Sequence, residues 1–558
     1  MKTNSKLQTR HPPTLTAHIS FGEVGRGPDG ERFIRVNIDI AKQRRIVLLR
    51  YDDLVSGSGQ ALARLNALDA HLISPRAKSE FLRRLQDLGP QEPSFRVATR
   101  VGPFGKAFVL PDKVLSATKE DIETWFDDGL AAYLSWGRHG GTLKTWKTLA
   151  SLAEGNSRLI LALGVAFVGP LRLIAPIESI AFQLTGPGGT GKTSIGVIAS
   201  SIWGQRCLGG KPHPLGSGDA WNNTVANLER VLAARNYTFL FLNEAHLARP
   251  QDIIAAFFLI CEGQGRGRYN EICRWEWYVP VLSTSNVSVA EILAKAQEPA
   301  DRAAFDRLID VPPPEGKFGA FENLHGSDTI GDFVVRLKAI CDENYGVVGQ
   351  RYVLKILREL AEDKPTLVNW LEARRSYFIR MGRKNVSGDF RHARVISHFA
   401  TVYAALRLAD RYDLLTLPKE GVRDALLACL ADHLTVTDGA ADRLVAHSPL
   451  SLLKTYVQKN RNNFVNLDGT PLPKGHPHAS CPGYKYKAAG RQWFGFPNAV
   501  VESVVGGRGA LSTLCHQLDT SGLIKKAGGG QAGDRFATKV KVGSKRVYLL
   551  SFDSSVFD

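Results

Sequence analysis

Along Arg32-Phe-Ile-Arg-Val-Asn-Ile-Asp39 apolar and polar residues alternate one by one, the period of a strand with one buried face. Arg45–Leu49 and Ala107–Leu110 are short apolar runs of strand length, and one helical stretch, Ser79–Leu88, separates them. Residues 1–115 therefore read as a small β-rich domain. From 116 to 178 the pattern turns helical, with Ser116, Thr118 and Asp121 suited to capping. Over 179–329 short apolar strands alternate with helices, the order of a parallel α/β core, and 330–448 reads as a helical region. Residues 449–558 open with a helix through Leu452–Lys459 and cross a Gly/Pro-rich loop. Val500–Val505, a turn at Gly506-Gly507, a helix through Leu511–Asp519 and a strand pair ending in Arg546–Leu550 then follow. Two helices around a glycine turn and then a hairpin is the order of a winged helix. The fold class expected is α/β with these five segments as domains.

Two features of the pattern bear on location. The longest uncharged apolar run, Leu159–Leu171, lies between Arg158 and Arg172, is interrupted by Gly169-Pro170 and is too short to span a bilayer. The first six residues, Met1-Lys-Thr-Asn-Ser-Lys6, lack the apolar core of a signal peptide. No membrane partner is expected. The seven cysteines are scattered without paired spacing, which suits reduced thiols in a cytoplasm. His476, His478 and Cys481 are the only local cluster with metal-like spacing, and they lack a clear fourth ligand.

Charge changes the picture. The net charge of +17 is not spread evenly over the 558 residues. Residues 1–115 hold 19 Lys and Arg against 11 Asp and Glu, residues 449–558 hold 15 against 6, and the middle balances at 37 against 37. A neutral centre between two basic flanks fits a polyanionic partner, with DNA as the first candidate. In the last hairpin Lys539, Lys541, Lys545 and Arg546 would supply those contacts.

The centre carries the chemistry. Gly186-Pro-Gly-Gly-Thr-Gly-Lys-Thr193 is a complete phosphate-binding loop, preceded by the apolar Ile180–Leu184 and followed by a helix from Ser194. Gly186, Gly188, Gly189 and Gly191 let backbone N–H groups face a triphosphate, with Pro187, Thr190 and Ser194 in the same cradle. Lys192 brings positive charge to the β- and γ-phosphates, and Thr193 offers its hydroxyl to magnesium, so ATP and Mg2+ are the expected ligands. The same glycines fit a dinucleotide fingerprint, but no acid follows about 20 residues on, where Gly209-Gly-Lys-Pro-His213 stands.

A nucleotide hydrolase next needs an apolar strand ending in carboxylates, and Tyr237–Leu242 followed by Asn243-Glu244 fits. Asn243 stands where Asp is usual: it still accepts a hydrogen bond from a metal-bound water but adds no charge. Glu244 remains available as the base. Tyr278–Leu282 leads into Ser283-Thr-Ser-Asn286, where Ser285 or Asn286 would contact the γ-phosphate or cap a helix. In Asp301–Asp310, Arg307, with Arg302 second, could reach into a neighbouring subunit's site or simply pair with Asp301 and Asp306. Arg266 and Arg268 in Gly263–Asn270, beside the aromatics of Arg274–Tyr278, suit a hairpin that tracks a phosphate backbone or a solvated turn. Thr118-Lys-Glu-Asp121 resembles a guanine-recognition tetrad but precedes the phosphate loop, and reads as a cap.

Together, Thr185–Thr193, Ser201-Ile-Trp-Gly204, Trp221-Asn-Asn-Thr224 with Leu228-Glu229, and the carboxylate strand resemble the domain of unknown function 927 family. Phe104–Asp112, Gly141–Trp146, Gly263–Arg268 and Arg394-Val-Ile-Ser-His-Phe399 continue the likeness over most of the chain. The family comprises helicase-like P-loop proteins and inactivated derivatives carried by phages and other mobile elements. The resemblance implies an AAA-like ATPase core, related in style to hexameric replicative helicases and minichromosome maintenance proteins. Arg266–Arg274 would be a pre-sensor hairpin and Arg394 a second sensor. Asn243 for Asp, and Arg266 where Lys is expected, depart from the pattern. The expectation is a ring-forming, ATP-hydrolysing DNA helicase or replication initiator of a mobile element. Its rival is a hydrolysis-deficient, nucleotide-binding DNA-binding module.

Overall fold

The computed structural model describes residues 18–40, 43–55, 59–70, 72–266, 274–296, 307–385, 392–446, 449–468, 481–526 and 536–557. The chain divides into two compact units, one of Met1–Val289 with Ala303–Leu434 and one of Ala290–Arg302 with Thr435–Asp558.

At the centre of the first unit five parallel strands form one sheet. They are β1 (Ala181–Leu184), β2 (Asp219–Ala220), β3 (Leu240–Asn243), β4 (Val281–Thr284) and β5 (Leu308–Val311), in the spatial order β2-β3-β4-β1-β5. β1, β3, β4 and β5 are buried at every position, as strands covered on both faces must be. Helix α1 (Lys192–Ser200) follows β1, and α2 (Pro250–Glu262) follows β3. Beyond the sheet come α3 (Ile330–Glu343), α4 (Val347–Asn385), α5 (Ala393–Arg411) and α6 (Lys419–Ala446), the last counted to the second unit from Thr435 on. α4 breaks at Asp363, whose carboxylate accepts from the Thr366 N–H and restarts the helix around Pro365. Ser157–Val168 is buried along its whole length and packs on α5 and α1, so most of the apolar run Leu159–Leu171, too short to span a bilayer, forms a core helix. No helix among the described residues is long and apolar enough to cross a membrane.

Also in this unit, the strands His18–Arg26, Arg32–Ile40 and Gln43–Arg50 form an antiparallel meander, as the alternation predicts. The expected helix forms as Pro75–Asp87, with Ser74 as its cap and Pro75 in the first turn. Two expectations fail. Residues 116–124 are not helical: Ile122–Thr124 pairs in parallel with Phe95–Ala98 and completes the sheet. Thr118–Asp121 is the turn into that strand, and the cap belongs to Asp127, which accepts from the Leu130 N–H.

The second unit has the expected helices Pro449–Asn460, Asn498–Val505 and Arg508–Thr520 and the hairpin Ala537–Val542 with Lys545–Asp553. It adds strands the sequence reading took for loop, Tyr484–Ala488 and Arg491–Phe496, and Val465–Asn466 completes a five-stranded sheet. Phe464, Phe494, Phe496 and Phe552 pack this sheet on the helices.

Candidate functional site

β1 is flanked by β4 and β5, so the chain leaving its C-terminal end emerges in a crevice between strand ends. There the loop from Thr185 turns through left-handed glycines, Gly186 (φ 119°), Gly189 (φ 78°) and Gly191 (φ 95°), before entering α1. The segment after β5 braces this loop: a Cβ on Gly186 would meet Pro313, one on Gly191 would meet Phe321, and the Ala320 N–H donates to the Thr190 carbonyl at 2.8 Å. Asn156 holds that segment, accepting from the N–H groups of Glu322 and Asn323 at 2.9 and 3.0 Å. Arg158, 1% exposed, donates to the Pro312 carbonyl at 2.9 Å and pairs with Asp432. The loop is thus held from behind by buried polar contacts.

Lys192 is 7% exposed, and its ammonium donates to the carbonyls of Gly186 and Pro187 at 2.6 Å each, with Asn286 Oδ1 at 3.4 Å. Burial pulls its pKa below the ordinary lysine value, and the Glu244 carboxylate opposes that shift. Asn243 closes the floor: its Oδ1 accepts from Thr193 Oγ1 at 2.9 Å and from Thr284 Oγ1 at 2.8 Å. One neutral oxygen therefore gathers the two hydroxyls that a charged Asp would otherwise hold. Glu244 is exposed and lies in the left-handed region at φ 62°, where a non-glycine residue is strained, a condition typical of functional turns. Its N–H donates to Thr284 Oγ1 at 3.1 Å, which fixes the turn.

The resulting cleft, about 390 Å³, is lined by Gly188–Ser194, Glu244, Thr284, Ser285 and Asn286, by His246, and by Ile330, Gly331 and Val334 of α3. His246 went unread in the sequence. Asn286 lies against both of its ring nitrogens, backbone N–H to Nδ1 at 3.3 Å and Nδ2 to Nε2 at 3.0 Å. Ser285 accepts from the Val287 N–H at 3.1 Å, a turn ahead of the helix that begins at Val289 rather than its cap.

Below the cleft runs a buried polar chain that crosses the sheet. Trp221 Nε1 donates to Ser283 Oγ at 2.9 Å, Ser283 Oγ donates to Gln183 Oε1 at 3.0 Å, and Gln183 Nε2 donates to Asp310 Oδ1 at 2.9 Å. Asp310 also accepts from the Val289 N–H at 2.6 Å. These contacts lock the register of β4, β1 and β5 beneath the loop.

Arg307 and Arg394 are not in this cleft. Arg307 immediately precedes β5, whose Leu308 pairs with Ala181, so it lies at the N-terminal end of the sheet, opposite the loop. It stacks over Phe258 at 4.9 Å. Arg394, expected as a sensor over the cleft, binds Glu178 at 3.0 Å, ahead of β1 at that same far end. Both arginines act on Cys261, whose thiol burial pushes up to about 11 against their pull. Arg302 and Arg268 lie outside the described residues, as do His476, His478 and Cys273. Arg266 is exposed at the stem of a hairpin: Gly265 N–H to the Trp275 carbonyl at 2.7 Å and Trp277 N–H to the Gly263 carbonyl at 2.9 Å close it, and the Arg266 N–H donates to Glu229 at 3.1 Å. Among the described residues no group of three or more His, Cys, Asp or Glu could hold a metal ion. The six described cysteines are free.

In the second unit the register Lys539↔Tyr548 and Lys541↔Arg546 puts Lys539, Lys541, Arg546 and Tyr548 on one exposed face of the last hairpin, with Lys545 at its turn. Tyr548 is 57% exposed and Lys539 sits 5.2 Å from its ring. Among the described residues none of these four cations takes part in an ion pair.

The fold has a solved counterpart, a structure described as "SCCmec type IV Cch - active helicase". It shares 18% identity with this chain at a TM-score of 0.60, covering 97% of this chain and 95% of that one. Two others align at lower scores. NtrX from Brucella abortus in complex with ATP has a TM-score of 0.19, 12% identity, and coverage of 42% and 66%. The A form apo structure of the NrS-1 C-terminal region has 0.25, 11%, and coverage of 70% and 86%. No curated protein matches the sequence. Residues 15–273 match the family described as Domain of unknown function (DUF927), so over that span the resemblance read from the sequence holds.

Proposed function

We propose that this chain is a P-loop ATPase of AAA-like type that works on DNA, as a helicase or replication initiator of a mobile genetic element. The observation that carries the reading is convergence: Lys192, Thr193, Asn243, Glu244 and Asn286, from three separate stretches of sequence, meet around one glycine loop at the C-terminal end of a parallel sheet. The strand order β2-β3-β4-β1-β5, with the loop after a central strand, supports the AAA-like assignment.

In this reading the loop N–H groups and Lys192 hold the triphosphate of ATP, and Lys192 exchanges its carbonyl partners for phosphate oxygens. The donor set fits a hard cation weakly but in the right place, since Thr193 Oγ1 and Asn243 Oδ1 adjoin at 2.9 Å and both are neutral oxygens. Mg2+ held there would neutralise phosphate charge. Glu244, exposed at the cleft edge, orients and deprotonates water, and Asn286, steadied by His246, reports on the γ-phosphate end. Arg307 and Arg394, remote from their own cleft, are suited to serve the cleft of an adjacent copy in a ring, with six copies as the expected assembly. The second unit is a winged-helix module whose last hairpin grips DNA. Arg266 and Arg268 would contact the strand in the ring's centre. A cytoplasmic location follows from this work.

Asn243 favours a second reading, in which nucleotide is bound and turned over poorly or not at all. The two separate in one assay: ATP binding and turnover with and without single-stranded DNA, in the native chain, Lys192→Ala and Asn243→Asp. Native turnover above the Lys192→Ala control supports the motor. Turnover that appears only in Asn243→Asp sinks it in favour of the inactive module.

A further inference from the structure

The side chains of the cleft are unevenly distributed. Every polar one, from Lys192, Thr193 and Glu244 to His246 and Asn286, belongs to the loop and strand ends, while the remaining wall is Ile330, Gly331 and Val334 of α3. Ile330 and Val334 are one turn apart on the same helix face, half-buried against the core. The adjoining, inward side of the helix carries Phe333, fully buried, whose ring meets Phe321 edge-on at 5.2 Å. Phe321 is the residue that fills the space beside Gly191. The apolar wall is therefore fixed in position relative to the phosphate loop through two aromatic rings. Gly331 keeps the wall low, since a Cβ there would meet nothing nearer than Thr329 Oγ1 at 3.5 Å.

We infer that this wall is the seat of the nucleobase and that it accepts adenine and guanine alike, so that the substrate class is purine nucleoside triphosphates rather than ATP alone. The inference rests on the reading of the cleft as a nucleotide site. A base is distinguished by hydrogen-bonding groups that pair with its edge, and this wall presents no polar side chain. Its backbone contributes donors only. At the start of α3 the Asp332 N–H is taken by Thr329 Oγ1 at 3.1 Å, and the first-turn N–H groups of Ile330 and Gly331 have no intrahelical acceptor. A donor can meet a ring nitrogen of adenine or the O6 of guanine. The exocyclic amine of adenine, the group that tells the two apart, finds no side-chain acceptor on the wall. Area and the shared phosphates then set affinity. A site with built hydrogen bonds to a substrate rejects the analogue lacking them by about 10⁴-fold, whereas contact area alone separates similar ligands by about 10- to 200-fold at most.

The test is equilibrium displacement of a fluorescent ATP analogue from the full-length chain by ATP, GTP, CTP and inorganic triphosphate. The native chain, Ile330→Ala, Val334→Ala and the outward-facing Val335→Ala are compared, with Lys192→Ala as the control for nucleotide binding itself. ATP and GTP are expected within about tenfold of each other. Val334→Ala and Ile330→Ala should weaken both purines about three- to tenfold by the same factor, and leave inorganic triphosphate unchanged. Val335, 68% exposed, should tolerate alanine without effect on any ligand. A preference for ATP over GTP beyond about a hundredfold overturns the inference, as does a wall substitution that weakens triphosphate as much as ATP. An analogue that binds native chain and Lys192→Ala equally overturns the nucleotide reading beneath it.

Discussion

The first 115 residues and the last 110 carry nearly the same excess of positive charge, yet the arginines of the N-terminal sheet and the cations of the last hairpin are disposed of in opposite ways. In the N-terminal sheet the arginines are engaged. Arg35 joins Glu23 and Glu123 and covers the ring of Phe95 at 4.1 Å; Arg44 binds Asp39 at 2.8 Å, Arg50 binds Asp52 at 2.6 Å, and Arg96 binds Glu120 at 3.2 Å. Arg64 reaches Asp128, and Arg83 bridges Glu80 and Asp87 at 2.8 and 3.0 Å. In the C-terminal hairpin Lys539, Lys541, Lys545 and Arg546 stand exposed beside Tyr548 and form no ion pair among the described residues. A charge count therefore overstates the first region as a polyanion surface. What attracts phosphate is cation left unneutralised, and by that measure the hairpin is the stronger candidate.

Four experiments bear on this difference. Replacing Lys539, Lys541, Lys545 and Arg546 together with Gln should lower affinity for single-stranded DNA about a hundredfold at low salt and flatten the log–log salt slope by about 3, measured by fluorescence anisotropy. An unchanged slope would remove the hairpin from the interface. Tyr548→Ala should weaken single-stranded binding about tenfold at unchanged slope and leave duplex binding nearly intact, because stacking adds about 1–3 kcal/mol per base without releasing counterions. Equal losses on both DNAs would argue against stacking.

Arg35→Ala, on the other side of the comparison, should alter DNA affinity by less than about twofold while lowering stability to urea by about 1–2 kcal/mol. Should it instead cost affinity as the hairpin variant does, the two regions are functionally alike. The smallest effect is one of pH. Hydrogen bonds from Arg44, Arg50 and Arg83 hold the carboxyls of Asp39, Asp52 and Glu80 below their usual values. A depressed folded value means stability that is present above the unfolded carboxyl range, about pH 4, and lost as pH falls through the folded value. Segment-resolved hydrogen exchange between pH 5 and 3 should therefore show the N-terminal sheet loosening before the C-terminal one, and simultaneous loosening would contradict the pairing.

What the sequence revealed, and what it hid, follows from the kind of signal involved. The loop at Gly186–Thr193 was legible because backbone geometry and charge placement leave few residue choices, and Asn243-Glu244 followed from an apolar strand with a polar end. Short or edge elements gave no period to read: Asp219–Ala220 has two residues, and Ile122–Thr124 has three beside residues that look like caps. Tyr484–Ala488 alternates well but follows a Gly/Pro-rich stretch that invited a loop assignment. His246 was invisible because only the left-handed turn at Glu244 returns it to the cleft. Ile330 and Val334 contribute shape alone, which a list of chemical groups passes over. Arg394 was placed by resemblance over the cleft and lies instead on Glu178, since a motif fixes the element but not which end of the sheet its side chain meets. The arginines of the N-terminal sheet show the same limit: their number was legible and their partners were not.

The central proposal is that nucleotide chemistry at Lys192 is driven by DNA held on the C-terminal hairpin. Its most direct test is steady-state ATP turnover with and without single-stranded DNA in the native chain, Lys192→Ala and the hairpin Gln variant. The account predicts DNA-stimulated turnover in the native chain, unstimulated basal turnover in the hairpin variant, and none in Lys192→Ala. Full DNA stimulation in the hairpin variant, or turnover that survives Lys192→Ala, would contradict it.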